Sequence, residues 1–118
     1  MTRRYLYIAR FGGMDQLSRL TPATAEVLAT LLDAPAPVWG LRVVNETGRP
    51  AGSVYPILAR LEAAGWVSSV WEDDPGRTGP RRRLYELTAD AVPAARAAVA
   101  RIRATQPAAS ARIAGVNS

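Results

Sequence analysis

The stretch Gly52-Ser53-Val54-Tyr55-Pro56-Ile57-Leu58-Ala59-Arg60-Leu61-Glu62-Ala63-Ala64-Gly65-Trp66-Val67 constrains the chain more than any other. It reads as one short helix with a marked start and a marked end. The Ser53 hydroxyl can cap the first turn, which places Pro56 at the third helical position, where its missing N–H costs nothing. Gly65 supplies the left-handed residue that closes a helix, and Trp66-Val67 begins an extended segment. Val54, Ile57, Leu58, Leu61 and Ala64 recur at helical spacing, so that side is expected to be buried. Ser53, Tyr55, Pro56, Ala59, Arg60 and Glu62 are left on the other side. A hydroxyl, a tyrosine and an arginine so displayed suit phosphate and base contacts in a major groove. Many amphipathic helices expose a tyrosine and an arginine, however, so the rest of the chain has to decide.

Upstream, Thr21 is a good N-cap, Pro22 a good first helical residue, and Glu26 lies early, where negative charge suits the helix dipole. Ala25, Leu28, Leu31 and Leu32 form the apolar face of this first helix. Pro35 and Pro37 stop it. A second helix is expected from about Val38 to Thr47, with Leu41 and Val44 inward and Arg42, Asn45 and Glu46 outward. Gly48 is its C-terminal cap, and residues 49–52 turn into the Ser53–Ala64 helix. Two short helices joined by a glycine-containing turn make a helix-turn-helix. Residues 1–20 are an N-terminal extension. Its aromatic segment Arg3–Phe11 reads equally as a short strand or a helical turn, set against a partner or folded over the chain's own core, and a short amphipathic piece succeeds it at residues 14–20.

Downstream, Trp66–Glu72 and Arg83–Thr88 are rich in β-formers. The polar turn residues between them, 73–80, make a long hairpin tip that returns through Arg81-Arg82-Arg83. Helices followed by a hairpin with a basic tip are the layout of a winged helix. Three consecutive arginines on a strand cannot all face one way, so at least one is expected to point away from any ligand. The last helix begins near Asp90, which can cap it, with Pro93 in its first turn. Val92, Ala95, Val99 and Ile102 fall at a/d spacing along it, either to pair with a second copy or to fold back on the domain. From Pro107 onward the composition suggests a frayed tail.

Composition removes whole classes of chemistry. The chain has no cysteine and no histidine, which takes away thiolate sites and the commonest general base and metal ligand together. Without an acid/base constellation, an enzyme is not expected, and no cofactor or metal is. Glu72-Asp73-Asp74 reads as a solvated turn, and Trp39, Trp66 and Trp71 as packing residues rather than a ligand box. The basic residues are all arginine, which reflects a G+C-rich coding bias, yet a net charge of +5 and a pI near 10.7 still favour an anionic partner. The longest apolar run near the N-terminus, residues 5–9, is too short for a signal or membrane segment, so a cytoplasmic protein is expected.

With the hairpin in place, the order of residues resembles the PadR family of bacterial winged-helix transcriptional regulators. The resemblance lies in Leu28–Leu32, Gly40, Gly52–Glu62, Gly65-Trp66-Val67, Trp71-Glu72, Gly76-Arg77 and Tyr85-Glu86-Leu87-Thr88, and covers about residues 21–90. It implies a mainly α fold with a β-hairpin (α+β), in which residues 21–89 form the winged helix-turn-helix, 90–106 a C-terminal dimerisation helix and 107–118 a flexible tail. It further implies a homodimer with recognition helices in successive major grooves of double-stranded DNA and wings on the flanking backbone or minor groove. The candidate DNA contacts are Arg49, Ser53, Tyr55, Pro56 and Arg60 around the recognition helix, and Arg77, Arg81, Arg82 and Arg83 in the wing. Val92, Ala95, Val99 and Ile102 are the candidate dimer contacts. The chain departs from the family at Leu41, where a tyrosine is usual, and at Ala91, where a glycine often stands. Its last helix holds no aromatic residue, so a flat drug sandwiched at the interface, as in some family members, is not expected, and no effector is assigned. A sequence-specific regulator, acting as a repressor, leads. A non-specific or architectural DNA-binding protein, of phage or mobile-element origin, is the alternative, and a winged helix used only for protein contacts comes third.

Overall fold

Thr21 opens the first helix as its sequence suggests. In a computed structural model describing residues 14–17, 19–73, 76, 79 and 82–105, its hydroxyl accepts the Thr24 N–H at 3.2 Å, and α1 runs Pro22–Asp33. Next in the chain are β1 (Val38–Trp39), α2 (Gly40–Thr47), α3 (Ala51–Ala63), β2 (Val67–Trp71), β3 (Arg83–Leu87) and α4 (Ala91–Thr105). The aromatic segment at 3–11, Arg77, Arg81 and the tail from 107 lie outside the described residues. Among the described residues the fold is α+β: four helices and a small antiparallel sheet in the order β1-β3-β2. No helix among the described residues is long and apolar enough to cross a membrane.

Strand β1 is hidden inside the expected second helix. Val38 and Trp39 come directly after Pro37 and are themselves β-formers; they pair with Tyr85 and Leu84, so α2 starts two residues later, at Gly40. The inward residues of α2 are also different. Val43 is fully buried and Val44 only partly, whereas Leu41 is 40% exposed. Gly40 and Val43, three apart, define the face that meets the core.

Helix α3 starts earlier than expected. Its N-cap is Pro50, which offers no side-chain cap, and the Pro50 carbonyl accepts the Ser53 and Val54 N–H groups at 2.9 and 3.1 Å. Ser53 is therefore a residue of the first turn rather than the cap. Pro56 lies inside the helix, and the Gly52 carbonyl, on the exposed side, lacks its i+4 donor. The C-terminal end is as expected: Gly65 has φ 82°, its N–H reaches the Glu62 carbonyl at 3.1 Å, and the Trp66 N–H reaches that of Leu61 at 2.9 Å. Val54, Ile57, Leu58 and Leu61 are buried, again as expected.

One apolar cluster joins Val27, Leu28 and Leu31 of α1, Val43, the buried face of α3, Trp66, Val67, Tyr85, and Ala91, Ala95, Ala98 and Val99 of α4. Helix α4 packs chiefly on α1. Ala95 is 0% and Val99 6% exposed within the single chain, so these two, expected in a dimer stripe, are core residues instead; Val92 and Ile102 remain partly uncovered. The physical reason is size: a helix rich in alanine can approach α1 closely enough to bury its own stripe. Met14, Leu17 and Leu20 also pack on this core without forming regular structure, and the Trp66 indole N–H donates to the Asp15 carbonyl at 2.7 Å.

The placement of Val99 is testable. Val99→Asp puts a carboxylate into the α1–α4 contact and should lower the free energy of urea unfolding by at least about 2 kcal/mol, the transfer cost of an unpaired polar group. The loss should be the same at high and low protein concentration. A loss confined to concentrations at which the wild type self-associates would place Val99 in an interface.

Candidate nucleic-acid interface

The N-terminal half of α3 is the most open stretch of helix in the helix-turn-helix: Ala51, Gly52, Ser53, Tyr55 and Pro56 are all exposed, as are Ala59 and Arg60 further along. Small residues surround the polar ones, so a broad, flat ligand can approach the helix backbone. Tyr55, 40% exposed, is held in place from below. A Cβ on Gly40 would lie 2.7 Å from Tyr55 Cε1, 3.2 Å from its hydroxyl and 3.2 Å from Tyr85 Cε2. Glycine at the start of α2 is what lets the Tyr55 ring lie against the helix and beside Tyr85. Burial pushes the Tyr85 hydroxyl's pKa up; the Arg83 guanidinium opposes that shift, and Glu62 and Tyr55 add to it. Tyr85 is thus a neutral packing partner for Tyr55.

The arginines separate into two kinds. Arg49, in the turn before α3, forms an ion pair with Glu26 of α1, and Arg42 pairs with Glu46 one turn along α2 at 3.2 Å. Arg83 donates from Nε to Ser69 Oγ at 3.0 Å and from Nη2 to Glu62 Oε1 at 3.3 Å, while the Ser69 hydroxyl donates to Glu62 Oε2 at 2.5 Å. The Trp71 ring, itself 52% exposed, lies 5.4 Å from the Arg83 guanidinium. Helix α3 and the hairpin are therefore linked by a three-residue polar network. An exposed ion pair alone contributes at most about 1 kcal/mol; here the hydroxyl and the guanidinium also fix where the hairpin stands relative to α3.

Arg82 and Arg60 have no carboxylate partner among the described residues. Arg82 stacks on Trp39, its guanidinium carbon 4.1 Å from the ring centroid. Arg60 stands nearly two turns beyond Ser53 and borders an open groove of about 290 Å³ whose far wall carries Asp15, Arg19 and Thr21. Among the sequence candidates, Ser53, Tyr55, Pro56 and Arg60 share the exposed side of α3, and Arg82 stands apart on the hairpin, against Trp39 and without a carboxylate partner among the described residues. Arg49 and Arg83 are engaged within the chain, and Arg77 and Arg81 lie outside the described residues. Sequence reasoning missed Trp39, Trp71, Glu62 and Ser69 as the partners that sort these arginines. The alternation of side chains along a strand was the one signal pointing to such a sorting. No group of three or more carboxylates among the described residues is placed to hold a metal ion.

Residues 31–91, just over half of the 118-residue chain, match the transcriptional regulator PadR-like family. The chain belongs to the PadR-like family. As such it is a transcriptional regulator and not an enzyme, and its open helix and hairpin are the helix-turn-helix and wing of a DNA-binding domain. Solved structures carry the same fold. A "probable transcriptional regulator" from Pseudomonas aeruginosa superposes with a TM-score of 0.61 at 21% identity, over 84% of this chain and 76% of the other. A variant of ZitR from Lactococcus lactis gives 0.59 at 18%, over 92% and 68%. The circadian clock associated protein Pex from Anabaena gives 0.56 at 22%, over 77% and 80%. At these identities the likeness carries the fold alone. No curated protein matches the chain.

In this PadR-like chain the support beneath Tyr55 can be tested apart from stability. Gly40→Ala forces the Tyr55 ring outward, and because that ring is half exposed the melting temperature should fall by only a few degrees, the shift that about 1 kcal/mol produces in a domain of this size. DNA affinity should fall about tenfold, the equivalent of one hydrogen bond lost. Unchanged DNA affinity would mean that the position of Tyr55 does not matter for binding.

Proposed function

We propose that the chain is a sequence-specific repressor that binds double-stranded DNA as a homodimer. In this role α3 lies in a major groove, with Ser53, Tyr55 and Pro56 at the phosphate and base edges and Arg60 further along. The wing sets Arg82 on the flanking backbone or minor groove. The observation that carries this reading is the exposed start of α3 together with a hairpin arginine that no carboxylate among the described residues neutralises. Hydroxyls and free backbone N–H groups at a helix start suit phosphate oxygens, and a guanidinium adds a forked donor for the same group. Arg49 and Arg83, already holding carboxylates, serve the scaffold in this scheme rather than the DNA.

A two-fold dimer presents two such helices to half-sites about one helical turn apart. Support for pairing along α4 comes from Val92 and Ile102, which keep apolar surface uncovered after Ala95 and Val99 have turned inward. A dimer covering two half-sites of a promoter blocks access to it, which is repression in its simplest physical form.

Selection of bound fragments from a random DNA pool tests the scheme. An enriched, two-fold symmetric site is expected, and log K against log salt should fall with a slope of about −0.9 per neutralised phosphate. Tyr55→Phe should cost about 1–2 kcal/mol on that site, between an ordinary hydrogen bond and a strong one to a charged group. Strong binding without enrichment would instead make the chain an architectural DNA-binding protein. Absence of binding at low salt would leave the helix-turn-helix as a protein-contact module.

A further inference from the structure

Strand β1 is only two residues long, and one of them is Trp39. Its partner in register on β3 is Leu84. Side chains two apart on a strand share a face, so Arg82 is the diagonal neighbour of Trp39, within reach of a large aromatic ring. The two meet: the Arg82 guanidinium carbon lies 4.1 Å from the Trp39 ring centroid, well inside the roughly 6 Å over which a cation is held by an aromatic face. Arg82 Nε is buried there and has no hydrogen-bond partner among the described residues. No hydrogen bond from that nitrogen fixes the side chain; the stack does. The backbone beneath is also pinned, because the Glu72 N–H donates to the Arg82 carbonyl at 2.6 Å.

The neighbouring arginine shows the contrast. Arg83 is fixed by Glu62 and Ser69, and the carboxylate that fixes it also offsets its charge. An indole fixes a guanidinium without neutralising it. A long arginine side chain gives up rotamer freedom when it closes on a phosphate, and a stack that has already restricted it reduces that loss. Buried donors without partners are uncommon in folded proteins and concentrate where a position serves something other than stability.

We propose that Trp39 is a positioning residue for DNA binding: its indole holds the Arg82 guanidinium, charged and unpaired, for a backbone phosphate. This rests on the wing contact in the proposed function. Trp39 is also the residue immediately before α2, so the stack ties the helix-turn-helix to the wing at a second place, on the sheet face opposite the Glu62–Ser69–Arg83 network.

The test is a double-mutant cycle on the selected DNA site, with Trp39→Leu, Trp39→Phe, Arg82→Ala and the two double variants titrated at two salt concentrations. Arg82→Ala should weaken binding and lower the salt slope by about one unit. Trp39→Leu should weaken binding about three- to tenfold, and Trp39→Phe less, in the order of ring strength toward cations. In the Arg82→Ala background neither Trp39 substitution should weaken binding further. Equal losses in both backgrounds would make Trp39 a packing residue only and overturn the proposal, as would full affinity in Trp39→Leu. An unchanged slope and affinity in Arg82→Ala would remove the wing contact itself, a separate failure that takes the proposal with it. If Trp39→Leu does not fold, the Trp39→Phe arm gives the same decision, because its loss must also vanish when Arg82 is absent.

Discussion

Strand β3 is hydrogen-bonded on both sides, to β1 and to β2, and the alternation of its side chains decides what every neighbouring element can do. Arg83 and Tyr85 point to the side of α3; Arg82 and Leu84 point to the side of Trp39. A slip of one residue would carry Arg82 toward the core and turn Tyr85 out. Two partners in register make that slip costly, since the ladders with β1 and with β2 would break together. The same alternation explains how adjacent arginines take different roles: one fixes the wing to the recognition helix, the other stays charged on an aromatic ring.

Contacts from one face of this strand converge on the recognition helix. On the inner face, Tyr85 meets the Tyr55–Gly40 contact near the start of α3, and Arg83 reaches Glu62 near its end. Helix α3 is thus held at both ends by the strand that also carries the wing. Such double anchoring matters for a DNA-binding protein, because helix and wing have to meet the duplex together and any ordering left until binding reduces affinity. The close approach of α4 to α1 closes the core away from the exposed start of α3.

Much of this fold is legible in the sequence where a local physical signal is strong. The Thr21 cap, the Gly65 terminus, the apolar side of α3 and the hairpin all rest on short-range chemistry, and each stands where its residues suggest. The failures share a cause. Val38-Trp39 reads as the start of a helix because a two-residue strand has no periodicity of its own and exists only through its partner on β3. Ser53 resembles a cap because serine favours that position, but Arg49-Pro50 has already set the backbone for a helix start at Ala51. The Ala95/Val99 stripe is apolar for the α1 side of the chain's own core, and spacing alone does not say which surface a stripe meets. The pairing of Arg82 with Trp39 and of Arg83 with Glu62 joins residues far apart in sequence, which no local pattern can encode.

The proposed function divides the labour: the start of α3 would face the bases, and Arg82 would anchor the wing to the DNA backbone from the opposite face of the sheet. Backbone amide NMR of the 12.7 kDa chain, recorded while duplex DNA carrying the selected site is added, tests this most directly. The largest shifts should fall on Ala51–Tyr55 and on Arg82, with the Trp39 indole N–H moving in step, while α1 and the buried side of α4 change little. Shifts concentrated on α1 and α4, with Ala51–Tyr55 and Arg82 unmoved, would contradict the account.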